Sequence, residues 1–206
     1  MSRSTYVQRT IRNTIVSEKS FKETLDSFLY ELRFFHPVHA DKMIEQAMEA
    51  KDPKVFDTLA EEASGRFGYL SFGDHKVHRY LNKFNPNRPV LESHAIALGT
   101  SPRAYSMTKH NQEATINFPL RITVTQRPND DRASVTWDLP SSQIPNLHLN
   151  KTLANAAFFV DDKFEELIRF CSGTMDEKKY KKILSMDKGA KVGAWKDAGG
   201  PTLSKL

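Results

Sequence analysis

Residues 115–125 read TINFPLRITVT and carry the clearest secondary-structure pattern in the chain. The even positions are apolar and the odd positions are mostly polar, which is the period of two expected of a strand with one face in the core. Pro119 has no N–H group, so it predicts a bulge or an unpaired edge within this strand. Asn117 and Arg121 fall on the polar face, where a sheet meets solvent or a ligand.

The segment after this strand predicts its partner. Residues 127–132 (RPNDDR) are rich in turn formers, and residues 133–137 (ASVTW) alternate again. We therefore expect the two strands to form an antiparallel hairpin. Further strands are predicted over residues 4–16, 68–73 and 90–98.

Helical patterns surround these strands. Ser20 and Glu23 have capping-box spacing in front of an amphipathic segment, which predicts a helix over residues 20–35. Other helices are expected after Asp41, from Pro53, over 101–110 and over 151–171, the last ending at Gly173. The elements together predict an α+β fold, with helices packed on one face of a mainly antiparallel sheet.

Charge is distributed unevenly along the chain. The net charge is +5, and residues 174–206 hold eight Lys against four Asp or Glu, so +4 belongs to this segment and +1 to residues 1–173. We expect one α+β domain over 1–173 and a basic, flexible tail over 174–206. The near-neutral domain argues against a nucleic-acid partner.

Composition limits the other classes of protein. No apolar run approaches the ~20 residues of a membrane span. Met1 to Ser4 lead into a polar segment that lacks the pattern of a signal peptide, so we expect no membrane partner and a cytoplasmic location. The single cysteine, Cys171, excludes an internal disulfide and a zinc site built from cysteines.

Histidines are the main candidates for chemistry. His75 and His78 are three residues apart and would share a face of a helix, so they are weak candidates for a metal pair beside an exposed-turn interpretation. His94 shares strand parity with apolar residues, which predicts either a hydrogen-bonded core histidine or a ligand-binding group. His110 ends the predicted short helix. His75 and His110 are thus candidate proton donors or acceptors.

Two charged residues complete the candidate set. Arg121 is either a surface cation with a carboxylate partner or a clamp for a carboxylate or phosphate. Asp138 either turns the chain or joins a catalytic group with the histidines. The sequence shows no phosphate-binding glycine loop, zinc-protease motif or serine-hydrolase elbow, and no cofactor is predicted; a metal or haem is kept as an alternative.

Short motifs across residues 99–142 resemble a known family. The motifs are Gly99-Thr100-Ser101-Pro102, Met107 with His110, Phe118-Pro119-Leu120-Arg121 and Trp137-Asp138-Leu139-Pro140-Ser141-Ser142, preceded by Phe72-Gly73-Asp74-His75. They resemble the eukaryotic, largely fungal branch of the domain-of-unknown-function 302 family. The resemblance implies a compact α+β fold like the TATA-binding-protein superfold and, often, a homodimer, without a settled activity.

The motif residues lead to one main functional hypothesis. We expect a small anionic or carbonyl-bearing ligand on the polar face of the sheet, held by Arg121, His94 and Asn117. His75, His110 and Asp138 would then carry proton transfer in a cofactor-independent isomerase, lyase or cyclase. The alternatives are a non-catalytic interaction protein that uses its Lys-rich tail, and a protein that binds a metal or haem through histidine.

Overall fold

One antiparallel sheet organises the fold. A computed structural model describes residues 8–33, 40–50, 53–99, 107–108, 110–112 and 118–186. The strands are β1 Arg12–Ser20, β2 Leu70–His75, β3 Ser93–Gly99, β4 Leu120–Arg127 and β5 Asp130–Asp138. They lie in the order β1-β5-β4-β3-β2, and every neighbouring pair is antiparallel.

Helices pack on one face of this sheet. They are α1 Phe21–Glu31, α2 Ala40–Ala50, α3 Pro53–Ala63, α4 Val77–Phe84, α5 Lys151–Ser172 and α6 Glu177–Met186, with short 3₁₀ turns at Pro140–Gln143 and Leu147–Leu149. Phe28 of α1 and Phe164 of α5 are buried in one core with Ile122 and Val135 of the sheet. The predicted α+β class, with helices on one face, is confirmed.

Helices α1 and α5 begin where their sequence signals predict, and α5 also ends there. Ser20 accepts from the Glu23 amide, and the Glu23 carboxylate accepts from the Ser20 amide, so the capping box is formed. These hydrogen bonds from Ser20 lower the pKa of Glu23. Helix α5 begins after Asn150 and ends at Gly173, whose φ of 75° is left-handed. Helix α1 ends at Glu31, four residues before the predicted end.

The strand predicted over residues 115–125 corresponds to β4, whose first residue is Leu120. Leu120, Ile122 and Val124 are buried as predicted. However, β4 begins only at Leu120, after a cis Phe118–Pro119 peptide bond, because Pro119 has no N–H for the ladder. Positions 115–117 lie outside the described residues. The predicted hairpin is confirmed, and Asn129 takes a positive φ in its turn.

Other boundaries shift by a few residues. The strand predicted over 4–16 is found at Arg12–Ser20, and those predicted over 68–73 and 90–98 are found at Leu70–His75 and Ser93–Gly99. Helix α4 was not predicted. Its N-cap residue, Lys76, makes no side-chain capping bond, so this short helix lacks a start signal in the sequence. Most of the helix predicted over 101–110 lies outside the described residues.

The expected tail contains a helix. Tyr180 of α6 stacks on Phe170 of α5 at 4.8 Å between ring centroids, and Ile183 packs against the core. The segment expected to be a flexible tail therefore includes a helix over Glu177–Met186 that has apolar side chains to bury, and the flexibility of the segment stays a prediction. Residues 187–206 lie outside the described part.

Within the described residues, no helix is long and apolar enough to cross a membrane.

Candidate functional site

His94 is held between two carboxylates. It lies on β3 with 2% of its surface exposed. Its Nδ1 atom is 2.8 Å from Oδ2 and 3.0 Å from Oδ1 of Asp74. An ionised carboxylate only accepts hydrogen bonds, so Nδ1 of His94 carries the proton and donates it. This fixes the tautomer and leaves Nε2 facing the other side.

Asp74 anchors the arrangement from the neighbouring strand. It lies on β2, and its side chain is 1% exposed. The Lys76 ammonium is 3.7 Å from Oδ2 of Asp74. A buried carboxylate requires such partners because desolvation of its charge is costly. Asp74 is therefore a fixed acceptor for His94.

His78 is oriented in the same way by the backbone. It lies in the first turn of α4 and is buried. Its Nδ1 atom is 2.7 Å from the carbonyl oxygen of Ser93. Nδ1 of His78 either donates to this oxygen or accepts from the Ser93 amide 3.2 Å away, because one ring nitrogen cannot do both. In the tautomer that donates to the Ser93 carbonyl, Nε2 of His78 has a lone pair.

Glu92 brings a third acceptor to the two histidines. Its Oε1 atom is 3.0 Å from Nε2 of His94 and 3.9 Å from Nε2 of His78. One ligand atom from each of the three residues lies within 4.8 Å of the others. Two ring nitrogens and one carboxylate oxygen therefore lie together, and a cation between them, either a proton or a metal ion, can interact with all three.

The fold builds this cluster at one end of the sheet. Pairing of β2 with β3 sets Asp74 beside Ile96, two residues from His94. The chain then turns at Lys76 into α4, which lays the His78 ring 5.4 Å from the His94 ring. Glu92 immediately precedes β3. The two buried imidazoles thus form the inner side of the cluster. The Glu92 side chain is 44% exposed, so the cluster is accessible to solvent on that side.

His75 and His78, the weak candidates for a metal pair, lie on different elements of the structure. His75 is exposed at the end of β2, and the metal-competent group found among the described residues consists of His78, Glu92 and His94 without it. The reason is local: His75 belongs to the strand and His78 to the helix, so the two do not share a helical face. His94, predicted as a ligand-binding residue, belongs to the cluster.

The polar face holds a second grouping. Arg121 and Asp138 line a hollow of about 330 Å³ with Thr10 and Phe118. Asp138 is bound by Arg12 through two hydrogen bonds of 2.8 and 2.9 Å. His75 and His110 are not among the residues that line this hollow, and His110 is exposed elsewhere. Asn117 lies outside the described residues. The proton-transfer role of these residues stays a prediction.

Sequence reasoning missed one member of the cluster, Glu92. Glu92 and His94 are two residues apart at the start of a predicted strand, and residues two apart share a face of a strand. That spacing was the available signal for the pair. Asp74 had no comparable signal, because its contact with His94 depends on the pairing of β2 with β3.

The single thiol does not contribute a nucleophile. Cys171 is completely buried in α5. Burial raises the pKa of its thiol well above the ordinary value, with a further upward contribution from the Glu31 charge. Cys171 is therefore neutral and packs as an apolar side chain.

Comparison with known proteins supports the fold. No protein-family profile matches the sequence, and no curated protein matches it significantly. The structure is similar to the crystal structure of an uncharacterized conserved protein, DUF302, from Bacillus stearothermophilus, with a TM-score of 0.51 and 10% identity over 78% of this chain and 97% of the other. The protein thus has a DUF302-like α+β fold. At this identity the likeness concerns the fold alone.

Proposed function

We propose that this protein binds one divalent transition-metal ion, with zinc as the first candidate, through His78, Glu92 and His94. The observation that carries the proposal is that one ligand atom from each of these three residues lies within 4.8 Å of the others. Imidazole nitrogen and carboxylate oxygen are common zinc ligands. Each Nδ1 is already committed to a hydrogen bond, so each Nε2 is available as a ligand.

The distances suit a small ion after a modest adjustment. Bonds of about 2.0–2.1 Å in tetrahedral geometry place ligand atoms about 3.3 Å apart. Nε2 of His94 and Oε1 of Glu92 are 3.0 Å apart, close to that value. Nε2 of His78 is 3.9 Å from the same oxygen. The half-exposed Glu92 side chain is free to make the adjustment, whereas the buried imidazoles stay fixed.

The outer contacts support a metal site. In zinc proteins a ligating histidine usually donates its second N–H to a carboxylate or a backbone carbonyl. His94 donates to Asp74, and the tautomer of His78 with a proton on Nδ1 donates to the Ser93 carbonyl. Three protein ligands leave a fourth position for water on the solvent side. Such a position is typical of zinc sites that act as a Lewis acid or activate water.

Zinc titration of the full chain tests the proposal. A chelator first removes any bound metal. Isothermal titration calorimetry should then show that the parent chain binds one zinc ion. Glu92→Gln should weaken this binding by more than about 100-fold, since loss of a direct ligand exceeds the effect of losing an outer contact. Its half-exposed position keeps the fold intact. His75→Ala, which removes an exposed neighbouring histidine, is the matched control. Equal binding by Glu92→Gln and the parent chain would contradict the proposal.

A second candidate function is favoured by the hollow beside Arg121. We infer that it binds a small carboxylate, as the sequence predicts. Arg121 makes no ion pair with a described carboxylate, since Asp138 is engaged by Arg12. An NMR titration with butyrate should shift signals of residues at the hollow, and Arg121→Ala should abolish the shifts. If butyrate shifts the same signals by the same amount in Arg121→Ala as in the parent chain, the proposed carboxylate site is contradicted.

A further inference from the structure

The hollow beside Arg121 has a larger and more apolar neighbour. Gln8 lines both the hollow and a second cleft of about 610 Å³. The apolar residues that line this cleft are Ile144, Pro145, Leu147, Ala154 and Phe158. The two depressions are therefore adjacent, with a cationic end at Arg121 and an apolar region beyond Gln8.

The cationic end favours a negatively charged group. Asp138 is the acidic residue that lines the hollow, and Arg12 compensates its charge through two hydrogen bonds. Arg121 is left as the uncompensated charge among the lining residues. Thr10 and Gln143 add neutral hydrogen-bonding groups around it. A carboxylate can accept from the planar guanidinium of Arg121 and from the Thr10 hydroxyl together.

The apolar region has exposed side chains, and a ligand that covers them removes apolar surface from water. Phe158 is 54% exposed on the first turns of α5. Pro145 lies in the turn between the two 3₁₀ segments and Leu147 begins the second segment, while Ala154 contributes only a methyl group, which leaves space beside them. Covering apolar surface of this kind removes it from water and strengthens binding. The exposed side chains of Arg9 and His148 also line this cleft.

We propose that the two depressions form one site for an anionic amphiphile, whose carboxylate lies at Arg121 and whose alkyl chain lies in the cleft lined by Leu147, Ala154 and Phe158. This inference rests on the second proposed function, the binding of a carboxylate at Arg121. It adds the chemical class of the ligand. It is independent of the metal cluster, which lies at β2, β3 and α4.

Decanoate and butyrate separate the contributions of the two ends. Both carry the same carboxylate, and decanoate has six more methylene groups. Each buried methylene strengthens binding about fourfold. We therefore expect decanoate, used below its micellar concentration, to bind the full chain at least about 100-fold more tightly than butyrate. Decyltrimethylammonium, with the same chain and the opposite charge, should bind much more weakly.

Three variants locate the ligand. Arg121→Ala should weaken decanoate at least about tenfold, because it removes a charge-assisted hydrogen bond. Ala154→Phe fills the cleft, so it should weaken decanoate and leave butyrate unchanged. Arg88→Ala, an exposed cation outside both depressions, is the control for charge and should have no effect.

The outcomes distinguish the two claims. If Arg121→Ala abolishes butyrate binding while decanoate and butyrate bind equally, the amphiphile inference fails and the carboxylate site stands. If neither compound binds, both fail. If Arg9→Ala weakens decanoate more than Arg121→Ala does, the proposed orientation of the ligand is wrong.

Discussion

Asp74 accepts a 2.8 Å hydrogen bond from Nδ1 of His94, and both side chains are almost completely buried. The two residues lie on neighbouring strands, so the fold itself fixes the tautomer and the orientation of the imidazole. Everything proposed for the metal cluster depends on this contact. It directs Nε2 of His94 at Glu92 and prevents the ring from turning away.

The first prediction concerns Asp74. Asp74→Ala leaves the Nδ1 proton of His94 without an acceptor in the core, so the free energy of unfolding should fall by about 1–3 kcal/mol. Zinc affinity should fall about 10- to 100-fold, the usual effect of losing such an outer contact. Urea unfolding and zinc titration measure the two effects. Asp74→Asn keeps an oxygen acceptor and should lie between the parent and the alanine variant. A folded Asp74→Ala with unchanged zinc affinity would show that this contact does not support a metal ligand.

The second prediction concerns the ionisation of Asp161. Burial raises the pKa of this carboxyl, and hydrogen bonds from the Ser141 hydroxyl and amide partly oppose the shift. Ser141→Ala removes the hydroxyl, so the pKa of Asp161 should rise further. The pKa in the folded chain exceeds that in the unfolded chain, so this group's contribution to stability falls as pH rises between the two values. Because Ser141→Ala raises the folded-state pKa of Asp161, the upper limit of this pH interval should rise as well.

Carbon NMR of the Asp161 carboxyl against pH measures this shift. Ser142→Ala alters the adjacent hydroxyl, which bonds the Leu139 carbonyl instead, and serves as the control. An Asp161 pKa that falls in Ser141→Ala would contradict the assignment of that hydroxyl as a donor to the carboxylate.

The third prediction concerns Gly65. A Cβ atom placed there would lie 1.6 Å from the backbone oxygen of Glu31, so no side chain fits without movement of the backbone. Gly65→Ala should therefore lower the free energy of unfolding by about 3 kcal/mol or more. Urea denaturation of the parent chain and of Gly65→Ala measures this change in the free energy of unfolding. A change below about 0.5 kcal/mol, the range of ordinary surface substitutions, would rule out this close approach.

The fourth prediction concerns the helix found in the expected tail. Tyr180 stacks on Phe170 with an angle of 20° between the rings. Tyr180→Ala should reduce the free energy of unfolding by about 1–2 kcal/mol, since the ring is only half buried. Lys182→Ala, on an exposed position of the same helix, should change it by less than about 0.5 kcal/mol. Equal stability of the tyrosine variant and the parent would show that α6 does not dock on α5.

Local signals in the sequence predicted much of the fold. The alternation at Leu120, Ile122 and Val124 identified the inward face of β4, and Ser20 with Glu23 identified the start of α1. These signals work because each depends on residues a few positions apart. Helix α4 was missed because its N-cap residue, Lys76, gives no capping signal. Tyr180 was assigned to a tail because the lysines on both sides of it in the sequence weaken the apolar pattern expected of a packed helix.

The candidate metal site was less accessible to sequence reasoning. His78 and His94 were each noticed, but His78 was grouped with His75 because the two are close in sequence. The true neighbours, His78 and His94, are sixteen positions apart and meet only because β2 pairs with β3 and α4 folds back on β3. Contacts of this kind depend on tertiary structure, whereas spacing along the chain reports only contacts within one element.

Anomalous diffraction at the zinc absorption edge, from a crystal of the zinc-loaded full chain, tests the central claim most directly. The account predicts one anomalous peak about 2.0–2.2 Å from Nε2 of His78, Nε2 of His94 and a carboxylate oxygen of Glu92. A zinc-loaded crystal without a peak at these three atoms, in which Nε2 of His94 keeps its direct hydrogen bond to Glu92, would contradict it.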